Sequence, residues 1–497
     1  MSKLTIANFK KTKNYLQKNG LWDTFLTALE RLLTKEAPYS YKAPSAETLN
    51  EQHERTKECN LLFSILVPAY RTDERYLRAM LDSVLAQSYP HFELILADAT
   101  EDDSVGSVVR EYRDDRIKYL HLSENKGISE NTNEALKAAS GSYIGLLDHD
   151  DVLTPDALFE AASAIAEAGK KGVDLRLVYS DEDKCDESGI YYFEPHKKMD
   201  FNMELFLTNN YICHFMMMEA GLMKRLAFRR EFDGSQDYDI ALRAVGTIFA
   251  EYAGKETEPS ERKSDALLPV AAEEQIGHIP KVLYHWRCHE NSTAANPESK
   301  DYAYEASRRA AVDFLGSRGI KGQALPQGHM GYSKIRYEGS ILKQRSGVGL
   351  RGGRLLGSRL QTVGGIYTEK GKCPYRGMFY KFGGYMNRAL LAQDAAAVDI
   401  RYMEVQPHLF PFVKECIRKS VRSLPLQESG ERAGEKVLAE VDRLTLDTDG
   451  FLCGWKRLRL TDAQYRRVSI ELCRAVRKAG YRVVWDPSNW QKRKGIG

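Results

Sequence analysis

Three closely spaced carboxylates follow an apolar run in the stretch IGLLDHDDVLTPDAL, residues 144–158. Asp148, Asp150 and Asp151 lie within a span of four positions, and like charges at such short spacing repel each other. A divalent cation relieves this repulsion, and Mg²⁺ and Mn²⁺ prefer the oxygen ligands that carboxylates provide. The stretch therefore predicts either a cation site that can hold phosphate oxygens or, as the simpler alternative, acids that collect at a helix N-terminus.

A further acid, Asp98, ends the apolar run ELILAD at residues 93–98. Strands that alternate with helices indicate an α/β fold with a mostly parallel sheet. Such sheets bind ligands at the carboxyl ends of their strands, so we expect Asp98 and the acids after residue 147 to face one crevice. Apolar runs predict strands at 63–70, 93–98, 117–122, 143–148 and 175–180, and helical periodicity predicts helices at 76–89 and 129–140.

Changes in composition along the chain predict four segments. Residues 1–60 form a helical N-terminal extension, because apolar side chains recur there at helical spacing. Residues 61–317 hold the alternating strands and helices and form the main domain. Residues 318–360 contain nine Lys or Arg, ten Gly and one acidic residue, which predicts a basic, glycine-rich connector. Residues 361–497 form a smaller unit with helix and strand patterns of its own.

Composition excludes several classes of protein. The chain has 497 residues and a net charge of +3, which is too near balance to imply nucleic-acid binding by itself. Its eight cysteines form no CxxC pair and no zinc-site spacing, so we expect reduced thiols and a cytoplasmic location. The N-terminus has no apolar signal segment, and no window approaches about 18 uninterrupted apolar residues. We therefore expect any membrane contact to be peripheral.

Eight blocks in a fixed order resemble the family 2 glycosyltransferases with the GT-A fold, and most closely the bacterial members that build cell-surface polysaccharides. The blocks are FSILVPAYRT (63–72), ELILADAT (93–100), ENKGISENTNEAL (124–136), LLDHDDVLTPDAL (146–158), VYSDEDK (178–184), NNYICHF (209–215), DGSQDYDIALR (233–243) and HIPKVLYHWRCHENSTA (278–294). The resemblance implies a GT-A type, Rossmann-like sheet, mostly parallel and flanked by helices. Residues 361–497 resemble a smaller α/β remnant of a second, degenerate transferase module, with an independent fold as the alternative.

The resemblance also implies a site for a nucleotide-diphosphate sugar donor. Asp98 would accept a hydrogen bond from the nucleobase, with a cap of its own strand end as the less favoured alternative. Gly127 would let the backbone approach the donor closely, although it can equally be an ordinary loop residue. The seven implied donor-site residues are Pro68, Ala69, Tyr70, Asp98, Gly127, Asn133 and Asp148.

A metal site is implied by the same resemblance. Asp150 would be the direct ligand of Mn²⁺ or Mg²⁺, and Asp148 would reach the ribose or the metal. The ion would neutralise charge that grows on the leaving nucleoside diphosphate. A late histidine is implied as a metal or phosphate partner, for which we predict His285, with His289 as the alternative. A lone histidine outside such a block is more often a core residue.

Asp237 is the implied general base. An acceptor hydroxyl is a poor nucleophile that must lose its proton as it attacks the anomeric carbon, and one base with direct displacement implies inversion. Family members often carry Glu-Asp at this point, whereas this chain has Gln236 before Asp237. Asp239 cannot share a helix face with Asp237 at a spacing of two, so we expect a structural role for Asp239.

The acceptor side is implied less specifically. Asp183 belongs to a second acidic run after a predicted strand, which a solvated turn would explain equally well. Trp286 and Arg287 would shape the acceptor or phosphate wall, although Trp286 can also be a core residue.

These features together predict a metal-dependent inverting glycosyltransferase. Its acceptor would be a growing cell-surface glycan or a lipid-linked glycan, reached by peripheral contact with the inner face of the membrane. Residues 318–360 would then meet anionic lipid head groups or, equally, form a solvated linker. The alternative function is that of a catalytically inactive protein on the same fold, which binds glycan or nucleotide sugar or acts as a scaffold.

Overall fold

The computed structural model describes residues 6–33, 38–56, 59–256, 270–289, 301–328, 330–425 and 431–492. The chain divides into two compact units, one of residues 39–325 and one of residues 1–38 together with 326–497. Helix α1 (Ile6–Leu33) belongs to the latter unit. A mixed α/β fold with a parallel-rich sheet, a helical N-terminal region and a second, smaller sheet confirms the predicted fold class.

The unit of residues 39–325 is built on one large sheet flanked by helices. In chain order its elements are α2 (Ala46–Arg55), β1 (Phe63–Ala69), α3 (Glu74–Leu85), β2 (Phe92–Asp98), α4 (Ser104–Glu111), β3 (Ile117–His121), α5 (Ile128–Ala138), β4 (Tyr143–Leu146), β5 (Val152–Leu153), α6 (Ala157–Lys170), β6 (Leu177–Cys185), β7 (Tyr192–His196), α7 (Met203–Phe206), β8 (Met216–Glu219), α8 (Ala220–Leu226), α9 (Gln236–Glu256), β9 (Ile276–Arg287), α10 (Asp301–Ser317) and, at its border, β10 (Gly322–Pro326).

The strand order of this sheet decides which residues meet at its carboxyl edge. The order is β3-β2-β1-β4-β8-β6-β9-β5, with β7 on β6. Strands β3, β2, β1 and β4 run parallel, β9 runs parallel to β6, and β8 runs antiparallel to both β4 and β6. Because β8 is reversed, the residues before Met216 lie at the edge where β4 and β6 end. Asp98 and Asp148 follow strands that end at this same edge.

Local sequence explains the first strand–helix–strand unit. Strands β1 and β2 are buried along nearly their whole length, as expected for parallel strands covered on both faces. Helix α3 begins after Asp73, whose side chain accepts a hydrogen bond from the backbone N–H of Arg75. The helix ends earlier than residue 89, its predicted end, because Gln87 and the backbone of Ser88 donate instead to carbonyls of the loop before α6.

The other unit contains a five-stranded sheet of order β13-β12-β20-β15, with β17 on β12. Its two central strands, β12 and β20, run parallel. After residue 326 its elements are β11 (Ser333–Tyr337), α11 (Ile341–Gln344), β12 (Val348–Leu356), β13 (Thr362–Gly364), β14 (Ile366–Tyr367), β15 (Gln393–Asp394), β16 (Ala397–Val398), β17 (Met403–Val405), α12 (Phe410–Arg422), α13 (Glu431–Asp442), β18 (Thr445–Leu446), β19 (Leu452–Cys453), α14 (Asp462–Lys478) and β20 (Arg482–Lys492).

Strand β12 lies inside the stretch 318–360, for which the sequence predicted a connector. The glycines of this strand serve close packing: a Cβ atom on Gly352 would lie 2.4 Å from a valine side chain. A glycine-rich composition therefore fits both a flexible loop and a tightly packed strand. The long-range pairing of β12 with β20 shows that this stretch contains a strand.

Two findings bear on the predicted membrane contact. Within the ranges described above, no helix combines the length and the apolar composition needed to cross a bilayer. Arg345 and Arg354, two of the basic residues of 318–360, are each only 1% exposed. Arg351 pairs with Glu404 and Asp486. These three cations are therefore not available to lipid head groups.

Candidate active site

Asp98 lies where β2 ends and is fully buried. Its two oxygens accept hydrogen bonds from the backbone N–H of Thr100 at 2.9 Å and from the hydroxyl of Tyr119 at 2.8 Å. Burial, together with the charge of Asp98, raises the pKa of the Tyr119 hydroxyl, so the proton stays on Tyr119. Asp98 thus fixes the turn after β2, and a nucleobase would have to use the lone pairs that these two bonds leave.

An open cleft of about 480 Å³ lies beside this turn. Arg71 binds Glu101 through two nitrogens and stacks over the ring of Tyr70 at 5.0 Å. The hydroxyl of Tyr70 donates to Glu101 as well, at 3.0 Å. Of the predicted donor residues at the end of β1, Ala69 is buried and Tyr70 exposes a large ring; Pro68 is half-buried. The lining residues are Arg71, Thr72, Thr100, Glu101, Asp102 and Ser104.

The sequence did not single out the residues that line this cleft. Arg71 and Glu101 are ordinary loop residues until the loops after β1 and β2 meet. The parallel register, in which Ala69 is opposite Asp98, brings the two loops together. The sequence contained an indication of this contact: both loops follow predicted strands that are consecutive in the chain, and parallel strands of one sheet end at the same edge.

Asp150 is in direct contact with His289. The Nε2 atom of His289 lies 2.7 Å from the Oδ2 atom of Asp150, and the His289 ring stacks on Tyr76 with 4.9 Å between ring centroids. Arg287 donates from Nε to the backbone carbonyl of Asp150 at 2.7 Å. Burial opposes ionisation of Asp150, but His149 and His289 outweigh it and lower the pKa of this carboxyl group. Asp150 is therefore a charged carboxylate with a fixed position.

Asp151 is the most buried of the three clustered acids. The hydroxyl of Tyr284 donates to its Oδ2 atom at 2.5 Å, and the backbone N–H of Arg287 donates to its Oδ1 atom at 2.7 Å. Burial, then the neighbouring charges of Asp150 and Asp148, raise the pKa of Asp151 well above its ordinary value. Because both oxygens bind residues of β9, Asp151 ties the acidic loop to the sheet.

His285 and Asp183 form a buried pair away from Asp150. They are opposite each other in the register of β9 and β6, and the Nδ1 atom of His285 lies 2.5 Å from Oδ1 of Asp183. Tyr39 donates to the other Asp183 oxygen at 2.6 Å, and Tyr41 packs against the His285 ring. The geometry favours His289 as the histidine beside Asp150. His285 and Asp183 are nearly or fully buried, and a metal role for His285 and an acceptor role for Asp183 stay predictions.

His214 lies between Asp148 and Glu182. Its Nε2 atom is 4.0 Å from an oxygen of Asp148. The Oε2 atom of Glu182 accepts a hydrogen bond from the backbone N–H of His214 at 2.6 Å and lies 3.3 Å from the Nδ1 atom of the same residue. Burial opposes the charged form, but Glu182 and Asp148 outweigh it and raise the pKa of His214 to about 9. The sequence identified only the surrounding block, residues 209–215, and not this histidine.

Asp148 connects the predicted metal acid with the predicted base. Its half-buried carboxyl group loses hydration, which raises its pKa, while the positive charge of His214 opposes this rise. The negative charges of Asp150 and Asp237 add to the rise. Asp237 lies in the first turn of α9 and accepts a hydrogen bond from Nδ2 of Asn210 at 2.8 Å. The acids at 148, 150 and 237 therefore influence one another across one site.

The donor atoms at this site suit a divalent metal that arrives with a nucleotide. Among the residues of known placement, no three or more His, Cys, Asp or Glu side chains form a complete metal site. The carboxylate of Asp150 and the imidazole of His289 do meet, and the charge of Asp148 is nearby. Mn²⁺ accepts both oxygen and imidazole ligands, and Mg²⁺ accepts the carboxylates. Phosphate oxygens and water commonly fill the other positions around such ions, so the residues fit the predicted cofactor.

Gly127 and Asn133 have structural partners. Gly127 has a φ of +99°, and a Cβ atom there would lie 2.4 Å from Oδ2 of Asp233. Oδ1 of Asp233 accepts the N–H of Ser129 at 3.2 Å, in the first turn of α5. Asn133 exchanges two hydrogen bonds with the backbone of Phe228, at 2.9 and 2.8 Å. Asn133 therefore attaches the loop after α8 to helix α5, and Gly127 leaves room for Asp233 of that loop.

Asp239 has the structural role that its spacing predicted. It is 1% exposed and binds two guanidinium groups, those of Arg229 and Arg243. The pair with Arg243 spans one turn of α9, and the pair with Arg229 joins this helix to the preceding loop. Asp239 therefore fixes the start of the helix that carries Asp237.

Trp286 and Arg287 border the acidic loop in different ways. The half-buried ring of Trp286 lies 5.8 Å from the ring of His214, with the ammonium group of Lys184 5.8 Å from its centroid. Arg287 is 3% exposed, and its side chain donates to the carbonyls of Asp150 and Glu187. Trp286 thus adjoins the site, whereas Arg287 stabilises the acidic loop through its hydrogen bond to the carbonyl of Asp150.

Parts of this chain are similar in sequence to known proteins. The profile described as Glycosyl transferase family 2 matches residues 64–229. The O-antigen biosynthesis protein RfbC of Myxococcus xanthus is 30% identical over 280 residues, which are 56% of this chain and 20% of that protein. The putative colanic acid biosynthesis glycosyl transferase WcaA of Escherichia coli (strain K12) is 31% identical over 193 residues, which are 37% of this chain and 67% of that protein.

The extent of these matches differs between relatives. The chain spans 20% to 26% of the length of the first curated relatives that it matches. Among solved structures, S. aureus TarS 1–349 in complex with UDP aligns at 19% identity over 51% of this chain and 65% of that chain, with a TM-score of 0.36. A similarity this low bears no weight for the site. The match to WcaA covers two thirds of that protein at 31% identity, and the family profile covers the loops that carry Asp98, Asp148 and Asp150. The chain belongs to glycosyl transferase family 2.

Proposed function

We propose that this chain transfers a sugar from a nucleotide-diphosphate donor, with metal dependence and inversion, to a growing surface glycan or a lipid-linked acceptor. One observation carries the proposal: in the loop after β4 the Nε2 atom of His289 lies 2.7 Å from Oδ2 of Asp150, and Asp148 of the same loop lies close enough to Asp237 for their charges to interact. An acid suited to a metal–phosphate site and an acid suited to proton removal thus lie within one electrostatic field. Membership of the family supplies the class of reaction in which such a pair is used.

The nucleoside of the donor is assigned to the cleft beside Asp98. Arg71 stacked on Tyr70 offers a flat surface of cationic and aromatic character, on which a base can stack. Thr100 and Glu101 provide polar groups on the opposite loop. The cleft and Asp148 follow strands that end at the same sheet edge, so a nucleoside diphosphate bound in the cleft can extend toward the acidic loop.

Asp150 and His289 are the residues that would hold a divalent ion, with Asp148 beside them. When bound, the ion would neutralise charge that grows on the leaving diphosphate. The protein keeps Asp150 charged and oriented, because His289 binds its side chain and Arg287 binds its backbone carbonyl. This assignment revises the ligand set predicted from the sequence, in which His285 had the place now given to His289.

Asp237 is assigned to take the proton of the acceptor hydroxyl. Asn210 donates to its Oδ2 atom, and we assign Oδ1 to the proton of the acceptor hydroxyl. The hydrogen bond from Asn210 and the place of Asp237 in the first turn of α9 fix the position of its carboxyl group. A single base with direct displacement requires the acceptor to attack opposite the leaving group, which inverts the anomeric carbon.

The acceptor class is inferred from relatives. RfbC is described as an O-antigen biosynthesis protein and WcaA as a putative colanic acid biosynthesis glycosyl transferase, and both names refer to surface polysaccharides. The ring of Trp286 adjoins His214 and offers an aromatic face of the kind on which sugars pack. We therefore assign the acceptor sugar to the side of Trp286.

A donor screen followed by substitution of Asp237 tests this function. A nucleotide sugar that binds the folded protein with Mn²⁺ should raise its Tm. Asp237→Asn should keep this shift and lower the transfer rate by about 100-fold or more. Asp313→Asn, which changes an exposed acid that pairs with Arg229, should leave transfer unchanged. Full transfer by Asp237→Asn would exclude the base role, and binding without transfer in the wild type would support the inactive binding protein instead.

A further inference from the structure

His214 occupies a position that the strand order creates. Strand β8 lies between β4 and β6 and runs antiparallel to both. Its first residues therefore lie between the loop that follows β4, which carries Asp148, and the end of β6, which carries Glu182. His214, two residues before β8, lies there: it contacts Glu182 on one side and lies 4.0 Å from Asp148 on the other.

The orientation of the His214 ring is fixed from several directions. Glu182 binds both the backbone N–H and, at 3.3 Å, the Nδ1 atom. Lys198 donates to the backbone carbonyl of His214 at 2.5 Å. The ring stacks on Tyr284 with a centroid distance of 4.7 Å and an interplanar angle of 17°. Tyr284 is itself held by its hydrogen bond to Asp151, so the imidazole cannot turn without breaking several contacts.

The other ring nitrogen of His214 is directed into the site. Its Nε2 atom lies 4.0 Å from the nearer oxygen of Asp148, which is beyond hydrogen-bond distance. The side chain is 22% exposed, so an acceptor atom of a ligand can approach the ring beside Asp148. The ring is held in place for such a ligand, because its other nitrogen contacts Glu182.

We propose that His214 donates a hydrogen bond from Nε2 to an oxygen of the phosphate that adjoins the transferred sugar. The inference rests on the proposed function, because the ligand is the diphosphate of the donor. It commits to the phosphate next to the sugar since the segment before β8 that carries His214 also carries Asn210, which donates to the proposed base Asp237 at 2.8 Å. His214 is thereby a substrate-binding residue at the reacting end of the donor.

Comparison of diphosphates with monophosphates tests the assignment. Isothermal titration calorimetry with the full chain and Mn²⁺ would measure Kd for UDP, GDP, CDP and dTDP, each beside its monophosphate. In His214→Asn the side-chain amide reaches the former Nδ1 position and not Nε2, so we expect affinity for the diphosphate to fall about tenfold or more. Affinity for the monophosphate should change by less than about twofold. His214→Gln, whose amide reaches the Nε2 position, should recover part of the loss.

His196→Asn is the matched control. The Nδ1 atom of His196 lies 3.0 Å from the other oxygen of Glu182, so this substitution disturbs the same carboxylate. It should leave the ratio of diphosphate to monophosphate affinity unchanged. If His214→Asn does not fold, His214→Phe preserves the stacking on Tyr284 and provides the same test.

The outcomes separate the inference from the function on which it rests. Equal loss of both nucleotide forms in the His214 variants, or no loss, would overturn the role of His214 while leaving the proposed function intact. A wild-type protein that binds none of the four diphosphates with Mn²⁺ would overturn the proposed function and this inference together. A selective loss that Gln partly restores would support it.

Discussion

The Nε2 atom of His289 lies 2.7 Å from the Oδ2 atom of Asp150, and this contact separates two histidines that are four positions apart in the sequence. His285 is opposite Asp183 within the paired strands β6 and β9. His289 follows the end of β9 and turns toward the acidic loop. Substitutions of His285 and His289 are therefore expected to have different effects, although both residues lie in the same sequence block, 278–294.

Substitution of each histidine distinguishes a metal-side role from a core role. We expect His289→Asn to raise the Mn²⁺ concentration needed for nucleoside diphosphate binding by about 10-fold, because it removes a proposed metal ligand that also orients Asp150. His285→Asn should instead lower the free energy of unfolding by about 1–3 kcal/mol, since it leaves the buried Asp183 with a poorer partner. Metal titrations and urea denaturation of both variants measure the two effects. A shift in metal dependence for His285→Asn alone would reverse the assignment.

Asp239 should contribute to stability far more than a surface acid of the same region. Asp239→Asn leaves Arg229 and Arg243 without the carboxylate that they share, and we expect a loss of about 3 kcal/mol in the free energy of unfolding. Asp313→Asn is the control, because Asp313 pairs with the same Arg229 but is 47% exposed; it should cost less than about 1 kcal/mol. Denaturant unfolding of the two variants compares their free energies of unfolding. Equal losses would argue against a stabilising role for the pairs of Asp239 with Arg229 and Arg243.

Gly127 should tolerate alanine less well than another glycine of positive φ. At Gly172, with φ of +77°, a Cβ atom meets nothing within 4 Å, so Gly172→Ala should cost only the backbone strain of about 1 kcal/mol. At Gly127 the new methyl group also displaces Asp233 from the start of α5, and we expect a further cost of about 1–3 kcal/mol. Thermal unfolding compares the two variants. Similar Tm values would mean that Asp233 moves aside without loss.

Glu93, at the start of β2, should make stability depend on pH. Burial opposes its ionisation, but Lys118, Ser140 and Ser64 bind the carboxylate and together lower the pKa of Glu93 to about 2. A carboxyl group with a lowered folded-state pKa stabilises the fold above its ordinary pKa, and this stabilisation is lost as pH falls toward the folded value.

The corresponding test is Glu93→Gln, measured by urea denaturation from pH 7 to pH 3. We expect the variant to be less stable than the wild type at pH 7 and the difference to shrink as pH falls below about 4.5. Glu134→Gln, which changes an exposed acid bound to Lys137, should give a small and nearly constant difference. A Glu93→Gln difference that stays constant with pH would contradict the role of the charged carboxylate.

The sequence predicted the first strands well because a parallel sheet covered on both faces needs continuous apolar runs. The strands at 63–70 and 93–98 correspond to Phe63–Ala69 and Phe92–Asp98. Helix ends were less predictable, since Gln87 and Ser88 make tertiary hydrogen bonds that the periodicity does not encode. The connector predicted for 318–360 contains strand β12. Composition could not reveal this, because a glycine-rich segment can be either a flexible loop or a tightly packed strand.

The sequence by itself determined the alternation of strands and helices, and with it the edge at which Asp98 and Asp148 lie, because parallel strands must end at the same side of their sheet. Tertiary structure alone decided which side chains meet at that edge. The register of β6 with β9 buried His285 against Asp183, and the reversal of β8 turned His214 toward Asp148. Strand register and direction are set by long-range hydrogen bonding and packing, so neighbouring residues of one motif can face different parts of the molecule.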